Sequence, residues 1–571
     1  MAKAEMKEMS GRKKIIPLVM ALGNKIINAL GFTEKIDASV EWDKKQWAIS
    51  PGKLMKALVL STFMDIRTPL TRLRDRFAGI DMRYLIGEEA AESDVNSFNV
   101  GRALERLGES GNCEGAYETL ALTAVQMNGI KMERLHSDTT TISFYGEYDE
   151  DKMELTEEEK AELLQIEKGY NKDGRAGCNQ AVVGQIVNEA GIPIVSRAMD
   201  GSASDAQWNE EAIEYMRQIQ QEGFGSGIYV ADCKLVNNEL ITKMMEGDNK
   251  VNFVSRCPAS FEGKLEGRMI EKAYREGKWE DYGQVADKKG AASYRGAEYT
   301  ETVCSHPMRL VVLESSNLAK KAEAAIEKEK EKLAPLAREL GKKAFACHAD
   351  AAAECARLFN GKNAKLFVVT ARIERATKEK WPRGRRKAGD QPKIVEAFKV
   401  VVEQIQRDEE ACRLFIQNES CFVLISNVLD GLSGKELLAT YKGQQIVENS
   451  FRLLKHPQLA SAIYLKNPNR IKALSMVLSF ALLVRAIIQH RLREGLSKHK
   501  QENPGDILYV GWNGRELASP TYKLLYEHSF DCYFEREDCG KYSFAWPFVE
   551  SKIRVGTLLR LMGLDVLDLI E

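Results

Sequence analysis

"RLHSDTTTISF", residues 134–144, decides how this 571-residue chain is read. The stretch is rich in β-branched residues and closes on an aromatic, which is the composition of a strand. Asp138 sits in its middle. An acid inside a buried strand must be hydrogen-bonded, paired or bound to a metal, because unpaired burial costs several kcal/mol. The segments that follow extend the pattern. "QAVVGQIVNEAGIPIVSRAM" (180–199) reads as two strands around a Gly-containing turn, and "DAQWNEEAIEYMRQIQQEG" (205–223) as a helix. "GIYVADCKL" (227–235) is a short apolar strand that ends on a second acid, Asp232. "NELITKMME" is a helix and "KVNFVSRC" (250–257) a further strand. The order is three strands, helix, strand, helix, strand.

Outward from this block the chain changes character. Residues 1–130 read as a helical N-terminal region. Ser50 caps a helix with Pro51 at its first position, and Ser97 is the candidate cap of "SFNVGRALERLGES". Lys56, Arg72, Arg74 and Arg76 read there as a solvated face. Residues 131–262 are the first part of the core. Residues 263–420 are more charged and weakly periodic. They include a charged helix at 317–340, expected to break near Pro335. They also include the basic loop "WPRGRRKAGDQPK" (381–393). Residues 421–500 open on the buried strand "CFVLISN" and return to helix. Residues 501–571 carry weak strand signals and a closing apolar helix, with dimer contact as the expected role.

Composition bounds the class. Apolar content of 44% and charged content of 29% are ordinary for a globular chain of several domains. The net charge of −1 excludes a global basic field. The charge is segregated instead: residues 441–500 hold eleven Lys or Arg against Glu448 and Glu494, whereas the neighbourhood of 147–167 is acidic. That distribution suits one anion-binding face. The eleven cysteines form no CxxC pair and read as reduced thiols. The opening residues are polar, so no leader is expected. "ALSMVLSFALLVRAIIQ" (473–489) contains Arg485 and reads as a buried helix, with no membrane role. A cytoplasmic protein is the expectation.

"YKGQQIVENSFRLLKHP" (441–457) reads as one helix with a single acid. On a 3.6-residue period, Tyr441, Gln444, Gln445, Phe451, Arg452 and Lys455 share a side with Glu448. The plain alternative is an amphipathic helix with Glu448 paired to Arg452 at i+4. A strand meander followed by alternating helix and strand is the order of an RNase H-like sheet. In that fold the first-strand acid and the fourth-strand tip acid come close, and a later helix brings a third. The fold class is therefore a multidomain α+β or α/β chain, with an RNase H-like core of mixed sheet flanked by helices. An insertion domain at 263–420 interrupts it, and helical regions stand at both ends. Asp138, Asp232 and Glu448, without His or Cys, make a hard all-oxygen set that favours Mg²⁺ or Mn²⁺ over zinc. Two such ions clamp the attacking and leaving oxygens of a phosphoryl transfer.

The chain resembles the bacterial insertion-sequence DDE transposases with a YREK signature on the last catalytic helix. That signature is Tyr, two residues, Arg, three residues, Glu, six residues, Lys. Tyr441, Glu448 and Lys455 match it at the right spacing, and Gln444 stands at the Arg position. "FRLLK", "HSDTTTISFYG", "VADCKL" and "GYNKDGRAGCNQAVVGQIV" resemble further family segments. The last of these departs from the usual form at Gly174, Ala176, Gly177 and Cys178. The resemblance implies that Asp138, Asp232 and Glu448 are catalytic and bind two metal ions. It implies DNA contacts from Tyr441, Gln444, Arg452 and Lys455, with Arg383, Arg385, Arg386 and Lys387 as further phosphate contacts. Trp381, or Trp279 in its place, would stack on an unpaired base; the plain alternative is a solvated basic loop with a partly packed Trp. The implied activity is cut-and-paste transposition: hydrolysis at element ends, then attack of the freed 3′-OH on target DNA. The implied partners are terminal inverted repeats, target DNA and a second copy of the chain in a synaptic dimer. Two alternatives stay open: a degenerate transposase acting as a DNA-binding repressor, and an RNase H-like nuclease without mobility.

Overall fold

The computed structural model describes residues 14–64, 70–87, 89–144, 163–175, 177–225, 227–285, 290–360, 363–381, 391–455, 467–546 and 548–570. The chain is mixed α/β, with mixed sheet flanked by helices, and divides into two compact units. The first comprises Met1–Leu235, Glu239–Phe253 and Thr440–Glu571; the second comprises Val236–Asn238 and Val254–Ala439.

In the first unit, β1 (Arg134–Phe144), β2 (Asn179–Asn188) and β3 (Pro193–Met199) form an antiparallel meander. Helix α1 (Asp205–Gln221) crosses over to β4 (Ile228–Val230), which runs parallel to β1 on its other edge. The strand order is β3-β2-β1-β4. After the helix Asn238–Met245 the chain returns alongside β4, where the Tyr229 N–H donates to the Asn252 carbonyl at 2.7 Å.

Alternation along β1 assigns its two faces. Ser137 and Thr139 face α1: the Trp208 indole N–H donates to Ser137 Oγ at 2.8 Å. Gly184 lies under that ring, and a Cβ there would stand 2.4 Å from Trp208 Cδ2. The opposite face, with Asp138 paired to Gln185, is covered by α2 (Gln445–Leu454) and α3 (Pro468–Glu502). Buried polar groups tie those layers together. Ser450 Oγ donates to Gln185 Oε1 at 2.8 Å, and the Ser196 and Ser479 hydroxyls lie 2.7 Å apart. Satisfied in this way, buried polar groups fix one register rather than destabilise the core.

Among the described residues α3 is long and apolar enough to cross a membrane by length and composition. Of its apolar window, 89% is buried inside the chain, so it serves as a core helix. It also packs on the N-terminal helices Pro51–Ser61, Ser97–Glu109 and Cys113–Met127. Arg485 survives there because its guanidinium donates to the Thr62 carbonyl and lies over the Tyr522 ring at 4.9 Å.

Several local expectations change. Asn96, not Ser97, caps its helix, accepting from the Phe98 and Asn99 N–H groups at 3.0 Å. Lys56 and Arg76 are buried rather than solvated. The Lys56 ammonium donates to Asn28 Oδ1 at 2.6 Å, and burial pulls its pKa down to about 8. The weak strand signals of the C-terminal region are borne out, against the wholly helical end of the fold-class expectation: Tyr533–Arg536 pairs with Tyr542–Ala545 and with Ile15–Pro17.

The second unit holds β5 (Phe253–Arg256, starting at its boundary), β6 (Glu280–Gln284), β7 (Ser293–Val303), β8 (His306–Ser315), the hairpin β9 (Phe367–Lys380) and β10 (Lys393–Arg407), and β11 (Cys421–Ser426). Its sheet runs β5-β11-β8-β7-β6. Pro335 does not break the helix Ser316–Lys342. The residues around Pro335 are exposed, so the carbonyl that it leaves unbonded meets water, while Leu333 and Leu340 stay buried on either side.

Candidate active site

The parallel register of β1 and β4 pairs Arg134 with Ile228 and His136 with Val230. Continued by two residues, it sets Asp138 beside Asp232, with both acids on one face. Burial is the main reason that both carboxyls lie above the usual carboxylate range. For Asp232 the neighbouring Asp205 and Asp138 add to it, and the hydrogen bond from the Lys234 N–H, at 2.9 Å, works against it. For Asp138 the Lys172 ammonium and the Thr139 N–H oppose burial, and Asp205 adds to it.

Asp138 and Glu448 line one open cleft of about 570 Å³ with Lys172, Asp173, Phe451, Arg452 and Lys455. Glu448 is exposed, and among the described residues it enters no hydrogen bond or ion pair, Arg452 included. Lys455 reaches across the cleft to Asp173, with Nζ 2.8 and 2.9 Å from the two carboxylate oxygens. Arg452 also lines a second cleft of about 400 Å³ with Arg485, Arg493 and Lys523, opposite Glu189.

The expected single helix over 441–457 is corrected. One helix ends at Lys442 and α2 starts at Gln445. The break has a steric cause: a Cβ on Gly443 would stand 2.7 Å from His136 Cε1 and 2.9 Å from Nε2. The backbone turns tightly over that ring, with the Gly443 N–H on the Thr440 carbonyl and the Gln444 N–H on that of Tyr441. Tyr441 therefore stands on the preceding helix and Gln444 in the turn, and neither shares the Glu448 face of α2. His136 is a packed strand histidine, and burial first, then Arg134, pulls its pKa down to about 4. Residues 456 and 457 lie outside the described residues.

Trp381 is half-buried just after β9 in the second unit, and Arg383, Arg385, Arg386 and Lys387 lie outside the described residues. Trp279 lines a pocket of about 410 Å³ within that unit, where the Arg295 guanidinium already covers its ring at 4.6 Å.

Two residues of the site escape sequence reasoning. Lys172 Nζ lies 3.4 Å from Asp138 Oδ1, 2.9 Å from Asp205 Oδ1, 2.7 Å from Thr139 Oγ1 and 3.0 Å from the Thr139 carbonyl. Asp205, the first residue of α1, also accepts from the Thr139 hydroxyl. Burial pushes Asp205 up, and its bonds from Lys172 and Thr139 more than offset this, leaving it below the usual range. The loop that delivers Lys172 is pinned by Asn171. Its side-chain oxygen accepts from the Asp173 and Arg175 N–H groups, and its amide donates to Ser143 and Gln180.

As a donor set, Asp138, Asp232 and Glu448 fit a hard divalent cation: all three are carboxylates, and burial and neighbouring acids hold two of them above the usual carboxylate range in spite of the nearby Lys172. Among the described residues no three His, Cys, Asp or Glu side chains stand close enough to grip an ion.

Residues 15–122, in the N-terminal helices, are similar to a family described as a domain of unknown function, DUF4277. The match ends before β1 and touches none of the three acids. No curated protein matches the chain.

Proposed function

We propose that the chain is a metal-dependent DNA-cutting enzyme of the DDE transposase type, built on an RNase H-like core. The observation that carries this reading is the β1–β4 register, which aims two acids 94 residues apart in sequence at one another just past the end of β4, close enough for Asp138 to act on the Asp232 carboxyl, next to a cleft lined by a third. The strand order β3-β2-β1-β4, with its single parallel pair, supports the same core. The YREK-like spacing of Tyr441, Glu448 and Lys455 supports the family.

Asp138, Asp232 and Glu448 would hold Mg²⁺ or Mn²⁺. When bound, such ions activate a water for attack on phosphorus and neutralise charge on the phosphoryl oxygens. Arg452 and Lys455 would hold the backbone phosphates of the DNA. Lys455 exchanges its bond to Asp173 for one to phosphate, so part of the binding energy goes into breaking that pair. Phe451, buried in the cleft wall, excludes water from one side. Arg485, Arg493 and Lys523 would extend the basic path beyond Arg452. In this reading the DNA is a terminal inverted repeat and then a target duplex, and two copies of the chain pair the ends. The N-terminal helices would recognise those ends.

A second reading, a repressor that binds DNA without cutting it, draws on one observation: cations already sit on Asp138 and Asp173, and no three carboxylates are gathered. Cleavage of a labelled fragment carrying the element boundary separates the two, with wild type beside Asp232→Ala in Mg²⁺, Mn²⁺ or chelator. Metal-dependent nicking at the boundary, lost in the variant, supports the enzyme. Binding without nicking under every condition supports the repressor.

A further inference from the structure

Lys172 sits in a cage of four oxygens at the point where β4 has ended and β1 continues. Three of the four, on Asp205 and Thr139, lie at 2.7–3.0 Å, enough to satisfy an ammonium with three protons. The fourth, Asp138 Oδ1, is the longest at 3.4 Å. The ammonium can therefore release Asp138 and keep a full set of acceptors. The Lys172 N–H donates to Thr141 Oγ1 at 3.2 Å, so the backbone stays in place while the side chain shifts. Asp205 is fixed at the start of α1, behind the Ser204 cap, on the sheet face away from α2.

We propose that Lys172 is an internal counter-cation for Asp138, withdrawn onto Asp205 when a divalent ion binds, and that Asp205 is a positioning residue rather than an ion ligand. This inference rests on the reading that a divalent ion binds at Asp138. It deepens that reading, because Lys172 then supplies positive charge to Asp138 from within the chain. Two neighbouring substitutions should act with opposite sign. Lys172→Met removes the competitor and tightens ion binding. Asp205→Asn removes the resting place, leaves Lys172 on Asp138 and weakens it. Because Asp205 acts through Lys172, its effect should vanish when Lys172 is gone.

The test is Mn²⁺ binding to the full chain without DNA, by calorimetry, with Asp138→Ala identifying the site. Lys172→Met should bind about fivefold more tightly and Asp205→Asn about fivefold more weakly, the size of one close charge contact at a half-buried site. In the Lys172→Met background, Asp205→Asn should cost less than about twofold. Lys172→Gln repeats the measurement if the methionine variant does not fold. Unchanged or weaker binding on loss of Lys172 overturns the proposal, and so does an equal cost of Asp205→Asn in both backgrounds. Binding that survives Asp138→Ala undiminished removes the divalent-ion reading itself, and the counter-cation role with it.

Discussion

Asp138 stands on β1 and Asp232 two residues past the end of its parallel neighbour β4, both pressed against other acids, whereas Glu448 stands on the exposed side of a ten-residue helix that begins just past a break. The strand side is assembled by backbone register and costs electrostatic energy to maintain. The helix side is placed by side-chain contacts, through the Ser450 hydrogen bond to Gln185 and the packing of Gly443 on His136. In the proposed metal site, a division of this kind would keep two ligands rigid and one adjustable.

The strand side should respond most strongly. Asp138→Ala or Asp232→Ala is expected to lower cleavage at least about a thousandfold. Stability should move the other way. Both folded carboxyls lie above their ordinary values, so each favours the fold below the ordinary carboxylate pKa and loses that contribution as pH rises through its raised value. Asp232→Asn should therefore be more stable than wild type at pH 7 and nearly equal to it near pH 3, by chemical denaturation. A variant less stable at pH 7 would mean that the carboxylate is well compensated. For the same reason, metal-dependent activity should fail on acidification at a higher pH than ordinary carboxylates would set.

The helix side should lose function without that stability gain. Glu448→Gln is expected to cut cleavage about a hundredfold while unfolding changes by no more than about 0.5 kcal/mol. Gly443→Ala drives a methyl into the His136 ring and should cost about 1–3 kcal/mol. The double variant with His136→Ala should regain most of it. A Gly443→Ala protein with wild-type stability and activity would mean that α2 is not seated by this contact. The smallest effects belong to the cations: Lys455→Ala or Arg452→Ala should each reduce the salt-dependence slope of DNA binding by about one.

The strand acids are legible in the sequence because strand composition fixes the alternation, and a meander followed by a crossover fixes the neighbour. The charge excess over 441–500 likewise points to the basic wall. Lys172 and Asp205 are not legible as a pair. One lies in a polar loop and the other reads as the ordinary acid of a helix first turn, and only the fold brings them to Thr139. The break at Gly443 is hidden because its cause, the His136 ring, lies on a strand 307 positions earlier. Lys56 misleads in the same way, since helical periodicity shows a cation on a face without showing that Asn28 buries it.

Iron-directed backbone cleavage tests the central claim most directly and needs no knowledge of the DNA. Fe²⁺ is added in place of Mg²⁺, ascorbate and peroxide generate radicals wherever it binds, and the peptide cuts are mapped by mass spectrometry. One metal centre built from both sides of the cleft predicts cuts near Asp138, Asp232 and Glu448 together, all suppressed by excess Mg²⁺. Cuts near Asp138 and Asp232 without any near Glu448, or cuts that Mg²⁺ does not suppress, would contradict it.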